Sequence, residues 1–340
     1  MIATTFGWDQ RDHIKDVARQ AGVSIGTVSR VLAKNETVGA ALRERVEATI
    51  RELDFKPNHV ARGLRRRRTD MIGLVIPDIT NPFFAELAKH VEAIAFRSGL
   101  SVLLSITNDD PEIEVAQIES LLKSRPTGLI VVPIQSGQSR GWKGDTATVV
   151  VDRRLAGHGL LSVDHHGGAA LAADHLIGLG HRRIAYIAGP ADAPVSRARR
   201  AGFVDHLDAV GIKPEIVEGH FDYVSGETLG RRLLDRAQAM RPTAIATAND
   251  QQAIGLLRTA DDLGIKVPDE LSVIGFDDIP LAGLITPRLT TIGQPVEEIA
   301  KRAVAAAIDG SGAAAGNDDL LSGVLVIRSS TAPVGRKTTA

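Results

Sequence analysis

Four stretches of this sequence carry side chains whose types and spacing could do chemistry. Gly22-Val23-Ser24-Ile25-Gly26 has the G-x-S-x-G spacing of a serine nucleophile. That device needs a strand before the serine and a helix after it. Here a helical pattern precedes, so Ser24 reads as a helix cap. Asp164-His165-His166 combines metal-ligating types, but no third and fourth ligand stands at useful spacing, and the two histidines read as solvated loop residues. Gly178-Leu179-Gly180-His181 begins like a dinucleotide-binding turn and fails where Arg183 stands in place of the third glycine. Arg65-Arg66-Arg67-Arg68 is a block of charge suited to neutralising phosphates. There is no cysteine, which excludes disulfides, thiolate nucleophiles and cysteine-ligated metals. No catalytic residues, no metal site and no cofactor are therefore expected. The chain reads as a binding protein, not an enzyme.

Polar and aromatic groups recur at one kind of place in the body of the chain, the ends of short apolar runs. Pro77-Asp78-Ile79-Thr80-Asn81-Pro82-Phe83-Phe84, Asp152-Arg153, Asn249-Asp250 and Phe276-Asp277-Asp278 all follow Val/Ile/Leu-rich runs, and Arg199 lies near a helix start after Gly189-Pro190. The runs 71–77, 101–107, 128–134, 148–152, 184–189, 244–248 and 271–276 read as buried strands. Helical patterns over 82–98, 112–124, 167–179, 197–210, 225–240 and 250–263 alternate with them. Alternation of this kind predicts α/β architecture, with parallel sheets flanked by helices. Such sheets bind ligands where their strands end. The expected ligand is polyhydroxylated or heterocyclic, met by hydrogen-bonding groups and an aromatic platform.

The head of the chain is patterned differently. Ile14, Val17, Ala18 and Ala21 form one apolar helical face, and Gly22 suits a tight turn. A second helix over about 25–32 buries Val28, Val31 and Leu32 and points Ile25, Gly26, Ser29 and Arg30 outward. A third, about 39–53, adds Leu42, Val46, Ile50 and Leu53. This is a small all-α helix-turn-helix, whose second helix reads the major groove. After it, Pro57-Asn58-His59-Val60-Ala61-Arg62-Gly63-Leu64 is too short to be a stable helix alone, and Gly63 costs about 1 kcal/mol against alanine. It should fold only when something orders it, and Leu64 suits a wedge in the minor groove. Charge supports the division. Residues 1–68 hold 14 Lys+Arg against 8 Asp+Glu, while the remainder holds 26 against 33. A basic head on an acidic body meets a polyanion at one end only.

Ile14-Lys15-Asp16-Val17-Ala18, Ala21-Gly22-Val23-Ser24, Thr27-Val28-Ser29-Arg30-Val31-Leu32 and Pro57-Asn58 resemble the head of the LacI/GalR family of bacterial repressors. Asn81-Pro82-Phe83-Phe84, Leu179-Gly180-His181-Arg182-Arg183-Ile184, Ala248-Asn249-Asp250 and Gly275-Phe276-Asp277-Asp278-Ile279-Pro280 extend the resemblance through the body. It implies a DNA-contacting set of Ser24, Ile25, Gly26, Thr27, Ser29 and Arg30, with Asn58, Ala61 and Leu64 in a hinge. It implies effector contacts at Asp78, Phe83, Asp152, Arg199, Asn249 and Asp277. Gly26 departs from the longer polar side chain that many members carry, and Gly39 and Leu42 depart from the usual Ser and Thr.

The domain organisation this implies is a helix-turn-helix at 11–56, a hinge helix and linker at 57–70, and a periplasmic-binding-protein-like effector-binding and dimerisation domain at 71–332. Its lobes would hold about 71–162 with 292–320 and about 163–291 with 321–332, leaving a tail at 333–340. The implied function is transcriptional regulation, repression in the sense of the family, by a homodimer on a palindromic double-stranded DNA operator. A small effector would control it, a sugar or sugar derivative first and a nucleobase or nucleoside second. The alternative, a solute-binding protein of a transporter, would need a secretory signal and has no use for a basic helix-turn-helix. MIATTFGWDQRD is no such signal and no run is long enough to span a bilayer, so a cytoplasmic, nucleoid-associated protein with no membrane partner is expected. No heptad pattern near the carboxyl terminus suggests a tetramerising helix.

Overall fold

A computed structural model describes residues 14–32, 38–53, 69–134, 146–311 and 317–335. The expected hinge residues Asn58, Ala61 and Leu64 and the four arginines lie outside these. The chain divides into two units, Met1–Arg67 and Arg68–Ala340.

In the first unit, α1 (Ile14–Gln20), α2 (Ile25–Leu32) and α3 (Ala40–Glu52) close over Val17, Val28 and Val46, which exclude solvent completely. Gly22 turns the chain between α1 and α2 at φ +62°, a conformation open to glycine at little cost. Ser24 caps α2 by accepting from the Thr27 N–H at 3.1 Å. α3 starts at Gly39 with no side-chain cap, so packing of Leu42, Ile50 and Leu53 on the same core holds it in place.

The second unit is two parallel α/β lobes. Lobe 1 contains β1 (Met71–Ile76), α4 (Pro82–Arg97), β2 (Ser101–Ile106), α5 (Pro111–Lys123), β3 (Gly128–Val131), β4 (Ala147–Val151) and β5 (Leu160–Val163). The chain then crosses to lobe 2, with α6 (His165–Gly178), β6 (Ile184–Ala188), α7 (Pro194–Asp208), β7 (Glu215–Glu218), α8 (Tyr223–Leu234), β8 (Ala244–Thr247), α9 (Asp250–Asp262), β9 (Ser272–Asp277) and β10 (Thr290–Gly293). It returns for α10 (Val296–Asp309) and β11 (Asp319–Leu321), and crosses once more to β12 (Val324–Val326). The sheet orders are β11-β5-β4-β3-β1-β2 and β12-β10-β9-β8-β6-β7. Only β12 runs antiparallel among these pairs. The expected helix over 225–240 is shorter, since α8 stops at Leu234 and a 3-10 turn at Gln238–Met240 follows. β5, β7, β10, β11 and β12 fall outside the expected strands.

Strand ends double as helix caps. Asn81, Asp110, Asp164, Asp222 and Asn249 each accept a backbone N–H from the first turn of the helix they precede. The polar residues at the ends of the strands therefore have structural work as well as any ligand to meet.

The crossovers at 163–165, 293–296 and 321–324 lie side by side. The Asp164 N–H donates to the Leu321 carbonyl at 2.7 Å, and a Cβ at Gly323 would stand 3.0 Å from Ile292 and 3.6 Å from Val163. Two helix pairs in lobe 2 also approach backbone to backbone. A Cβ at Gly202 on α7 would overlap the His166 carbonyl oxygen on α6; Gly226 and Gly255 do the same between α8 and α9, against Gln252 and Tyr223. Gly202→Ala and Gly255→Ala should each lower unfolding free energy by about 1–3 kcal/mol in urea titrations, since the helices must move apart. Unchanged midpoints would show that the pairs yield freely.

Candidate functional site

At the carboxyl ends of the strands, between the lobes, a cavity is lined by Asn81, Phe83, Phe84, Asp152, Arg153, Ala193, Pro194, Val195, Arg199, Phe221, Asn249 and Asp277. Five of the six residues expected to meet a ligand come together here. Asp78 does not line it. Its carboxylate is turned onto Thr80, accepting from the backbone N–H and the hydroxyl at 2.7 Å each. The open volume is about 30 Å³, enough for a water or two. Phe83 and Asp277 also border a larger cavity of about 440 Å³ on the side of the second crossover, together with Glu86, His90 and Gln294.

Arg199 is the centre of the polar network and is only 4% exposed. A terminal nitrogen of its guanidinium stands 3.1 Å from Asp277 Oδ1 and donates to the Ala248 carbonyl at 2.6 Å. Its Nε donates to His165 Nδ1 at 3.2 Å, and its plane lies 3.8 Å over the Phe276 ring. His165 Nε2 in turn reaches Asp152 Oδ1 at 3.4 Å and Ser162 Oγ at 3.2 Å. Beside Asp152, Arg153 donates to Asp109 at 2.6 Å and to the Pro133 carbonyl at 3.1 Å. Each buried arginine is thus matched by a carboxylate.

Burial pushes Asp277 up to about 6 from its ordinary 3.8, against the pull of Arg199 and of the Gln294 amide, which donates to it at 2.8 Å. Burial, then the charge of Asp277, raises neighbouring Asp250 well above the carboxylate range. Thr291 and the Ile279 N–H donate to Asp250 at 2.5 and 2.9 Å. At Asp152 burial acts in the same direction, but the His165 hydrogen bond and the charges of His165, Arg153 and Arg199 outweigh it, and the pKa falls. Asp152 and Asp277 both sit at positive φ, +65° and +116°. Such backbone costs on the order of 1–3 kcal/mol per residue and persists where the surroundings over-determine it.

The remaining expected contacts divide unevenly. Asn249 lines the cavity, but its amide is already engaged, accepting from Gln252 and donating to the Phe221 carbonyl. Phe83 meets Phe84 edge to face at 5.2 Å. His165 corrects the sequence reading, since it is buried at the head of a helix and not in a solvated loop. Sequence reasoning also passed over Gln294, whose buried Oε1 accepts no hydrogen bond among the described residues. A hydroxyl on a ligand could supply one. No motif signals the buried role of His165 or the place of Gln294, because each is set by contacts with residues far along the chain.

In the head, Ser24 before α2 and Gly26, Ser29 and Arg30 on it are exposed, and Thr27 is half-buried. Arg30 Nε folds back onto the Gly26 carbonyl at 3.3 Å. Ile25 differs from the outward placement expected of it, being half-buried against the helical core.

Residues 13–58 match the family model of bacterial regulatory proteins of the lacI family, and residues 173–331 match the periplasmic binding protein-like domain. The chain is 37% identical over 300 residues to the ribose operon repressor of Escherichia coli (strain K12), covering 86% of this chain and 90% of that protein. It is 36% identical over 334 residues to the HTH-type transcriptional regulator DegA of Bacillus subtilis (strain 168), covering 94% and 98%. Among solved structures, a lac repressor dimer bound to operator and the anti-inducer ONPF aligns with a TM-score of 0.81 and 29% identity, over 95% of this chain and 100% of that one.

Because the folded pKa of Asp277 lies above its ordinary value, its contribution to stability is complete only below that ordinary 3.8, at about pH 3, and is lost as pH rises through about 6. Asp277→Asn removes that dependence. The unfolding free energy of the native chain, measured relative to this variant, should fall by about 3 kcal/mol between pH 3 and pH 7.5. A rise across that range would mean that the Arg199 pairing outweighs burial.

Proposed function

The chain belongs to the lacI family of bacterial regulatory proteins, and on that premise we propose that it is a transcriptional repressor whose hold on a palindromic operator is set by a neutral sugar in the interlobe cleft. The observation that carries the effector reading is the Arg199–Asp277 pair at 3.1 Å, walled by Phe83 and Phe221 where strands of both lobes end. A guanidinium fork and a carboxylate together bracket a diol, one donating and the other accepting. Aromatic faces suit the C–H side of a sugar ring.

Charge selects against an anionic effector. Arg199 is matched by Asp277, Arg153 by Asp109, and Asp152 adds a further carboxylate. A phosphate would meet no unmatched cation in this cavity. A nucleobase fits less well than a sugar, because Phe83 and Phe84 meet at 67° and make no flat slot. A transporter's solute-binding protein has no use for the helix-turn-helix at 13–58.

The chain acts in the cytoplasm, on the nucleoid, as a homodimer. Phe96, Leu103 and Leu104 of lobe 1 and Val224, Leu281 and Leu284 of lobe 2 are exposed apolar side chains that supply area for self-association. Among the described residues no helix is long and apolar enough to cross a membrane. Effector closing or opening the cleft changes the lobe angle in both protomers. That angle decides whether α2 of both heads can read their half-sites at once. The open volume of about 30 Å³ requires the lobes to part for a sugar to enter.

D-ribose, chosen because relatives are ribose operon repressors, should raise the melting temperature in a dose-dependent way, and D-ribose 5-phosphate should not. Asp277→Asn should abolish the shift. A larger shift with the phosphate would overturn the neutral-effector assignment, and no response to any sugar with DNA binding intact would overturn the sugar. For the head, Arg30→Ala should weaken binding to duplexes selected from a random pool by about 10- to 100-fold, read by fluorescence anisotropy. An equal loss on unselected DNA would show that Arg30 contacts only phosphate.

A further inference from the structure

Behind the cavity wall, His165 borders neither interlobe cavity, yet it touches the two groups that matter most on either side of the lobe boundary. Arg199 can only donate, so the bond from its Nε to His165 Nδ1 at 3.2 Å requires a bare lone pair on Nδ1. The ring proton then belongs on Nε2, where Asp152 Oδ1 at 3.4 Å and Ser162 Oγ at 3.2 Å can accept it. An imidazolium would set one N–H against another at Arg199. Burial, and then the charge of Arg199, lowers the His165 pKa against the opposing pull of Asp152 and Asp164.

Place in the fold turns this bond chain into a mechanical link. Asp152 follows β4 in lobe 1, Arg199 stands on α7 in lobe 2, and His165 heads α6 directly after the first crossover. The adjoining Asp164 N–H is bonded to Leu321 in the third crossover at 2.7 Å. Gly202, one turn beyond Arg199, packs on the His166 carbonyl so closely that no Cβ fits between, so α6 and α7 cannot slide past each other freely.

We infer that His165 is a positioning residue that couples the cleft to the lobe hinge. It fixes the Arg199 fork on one side and holds Asp152 across the boundary on the other. A ligand that pulls on either group then moves the first and third crossovers. The coupling rests on the cleft being the effector site; the bond chain does not.

Two substitutions cut the link at different ends. The asparagine amide oxygen overlays Nδ1 and nothing in asparagine reaches the Nε2 position, whereas the glutamine amide nitrogen overlays Nε2 and leaves no acceptor for Arg199. In the full chain, D-ribose affinity by calorimetry should stay within about threefold for His165→Asn and fall about tenfold for His165→Gln. D-ribose should slow amide hydrogen exchange over 161–165 and 321–324 in the native chain and lose that effect in His165→Asn. Equal loss of affinity in the two variants, or ribose-dependent protection unchanged in His165→Asn, would overturn the coupling role. Imidazole nitrogen NMR of the native chain without ligand decides the bond chain alone. A neutral His165 with its proton on Nε2 from about pH 6 to 8 is expected; a proton on Nδ1, or an imidazolium, would overturn it. If D-ribose fails to bind the native chain, the ribose reading fails, and the bond chain is still judged by this spectrum.

Discussion

A guanidinium taken out of water must be met by charge and hydrogen bonds wherever its donors point, and Arg199 imposes that demand on the whole of lobe 2. Asp277 answers from the end of β9, Ala248 from the end of β8, His165 from the head of α6, and the ring of Phe276 lies under the fork. Removing a partner from a buried ion pair typically costs about 3–5 kcal/mol. Elements bound to one cation in this way cannot rearrange singly. The same cation lines the interlobe cavity, so what stabilises the lobe also shapes the cavity wall.

Three carboxylates around this cation show how environment divides one functional group into several roles. Asp152, hydrogen-bonded to His165 and flanked by two arginines, is held as an anion. Asp277 is tuned to about 6 by its dry surroundings, and Asp250, deeper still, favours its protonated form. Asp250 ties the β9 end to β10 through Ile279 and Thr291, so it braces the strand that carries Asp277. The positive φ angles at Asp152 and Asp277 aim the two carboxylates from strand ends where an ordinary extended residue would turn its side chain elsewhere.

The hinge is as tightly specified as the cleft. Three crossovers pack against one another: a backbone bond at Asp164 ties the first to the third, and a Cβ at position 323 would press on Ile292 at 3.0 Å. Gln294, in the second crossover, bonds directly to Asp277. A network that runs from a cavity-lining arginine into two of the three crossovers gives the lobes a physical reason to respond as a pair of bodies and not as a continuously deforming chain.

Much of this protein was legible in its sequence. Val/Ile/Leu runs alternating with amphipathic stretches specify parallel α/β lobes, since strands buried on both faces tolerate little else. The Ile14/Val17/Ala18/Ala21 face, Gly22 and the Ser24 cap specify a helix-turn-helix through local rules of periodicity, turn and cap. Strand-end residues such as Asp152 and Asp277, and Arg199 near the start of the helix after β6, stood out because topology places such ends around a cleft. Tertiary structure alone decided the rest. It turned Asp78 onto Thr80 and away from the cavity, committed the amide of Asn249 to capping α9, and drew Ile25 toward the helical core. It also buried His165 between Asp152 and Arg199, partners 13 and 34 residues away in the chain. Hydrogen bonds and pKa shifts arise from short distances in space, and sequence pattern encodes only distances along the chain.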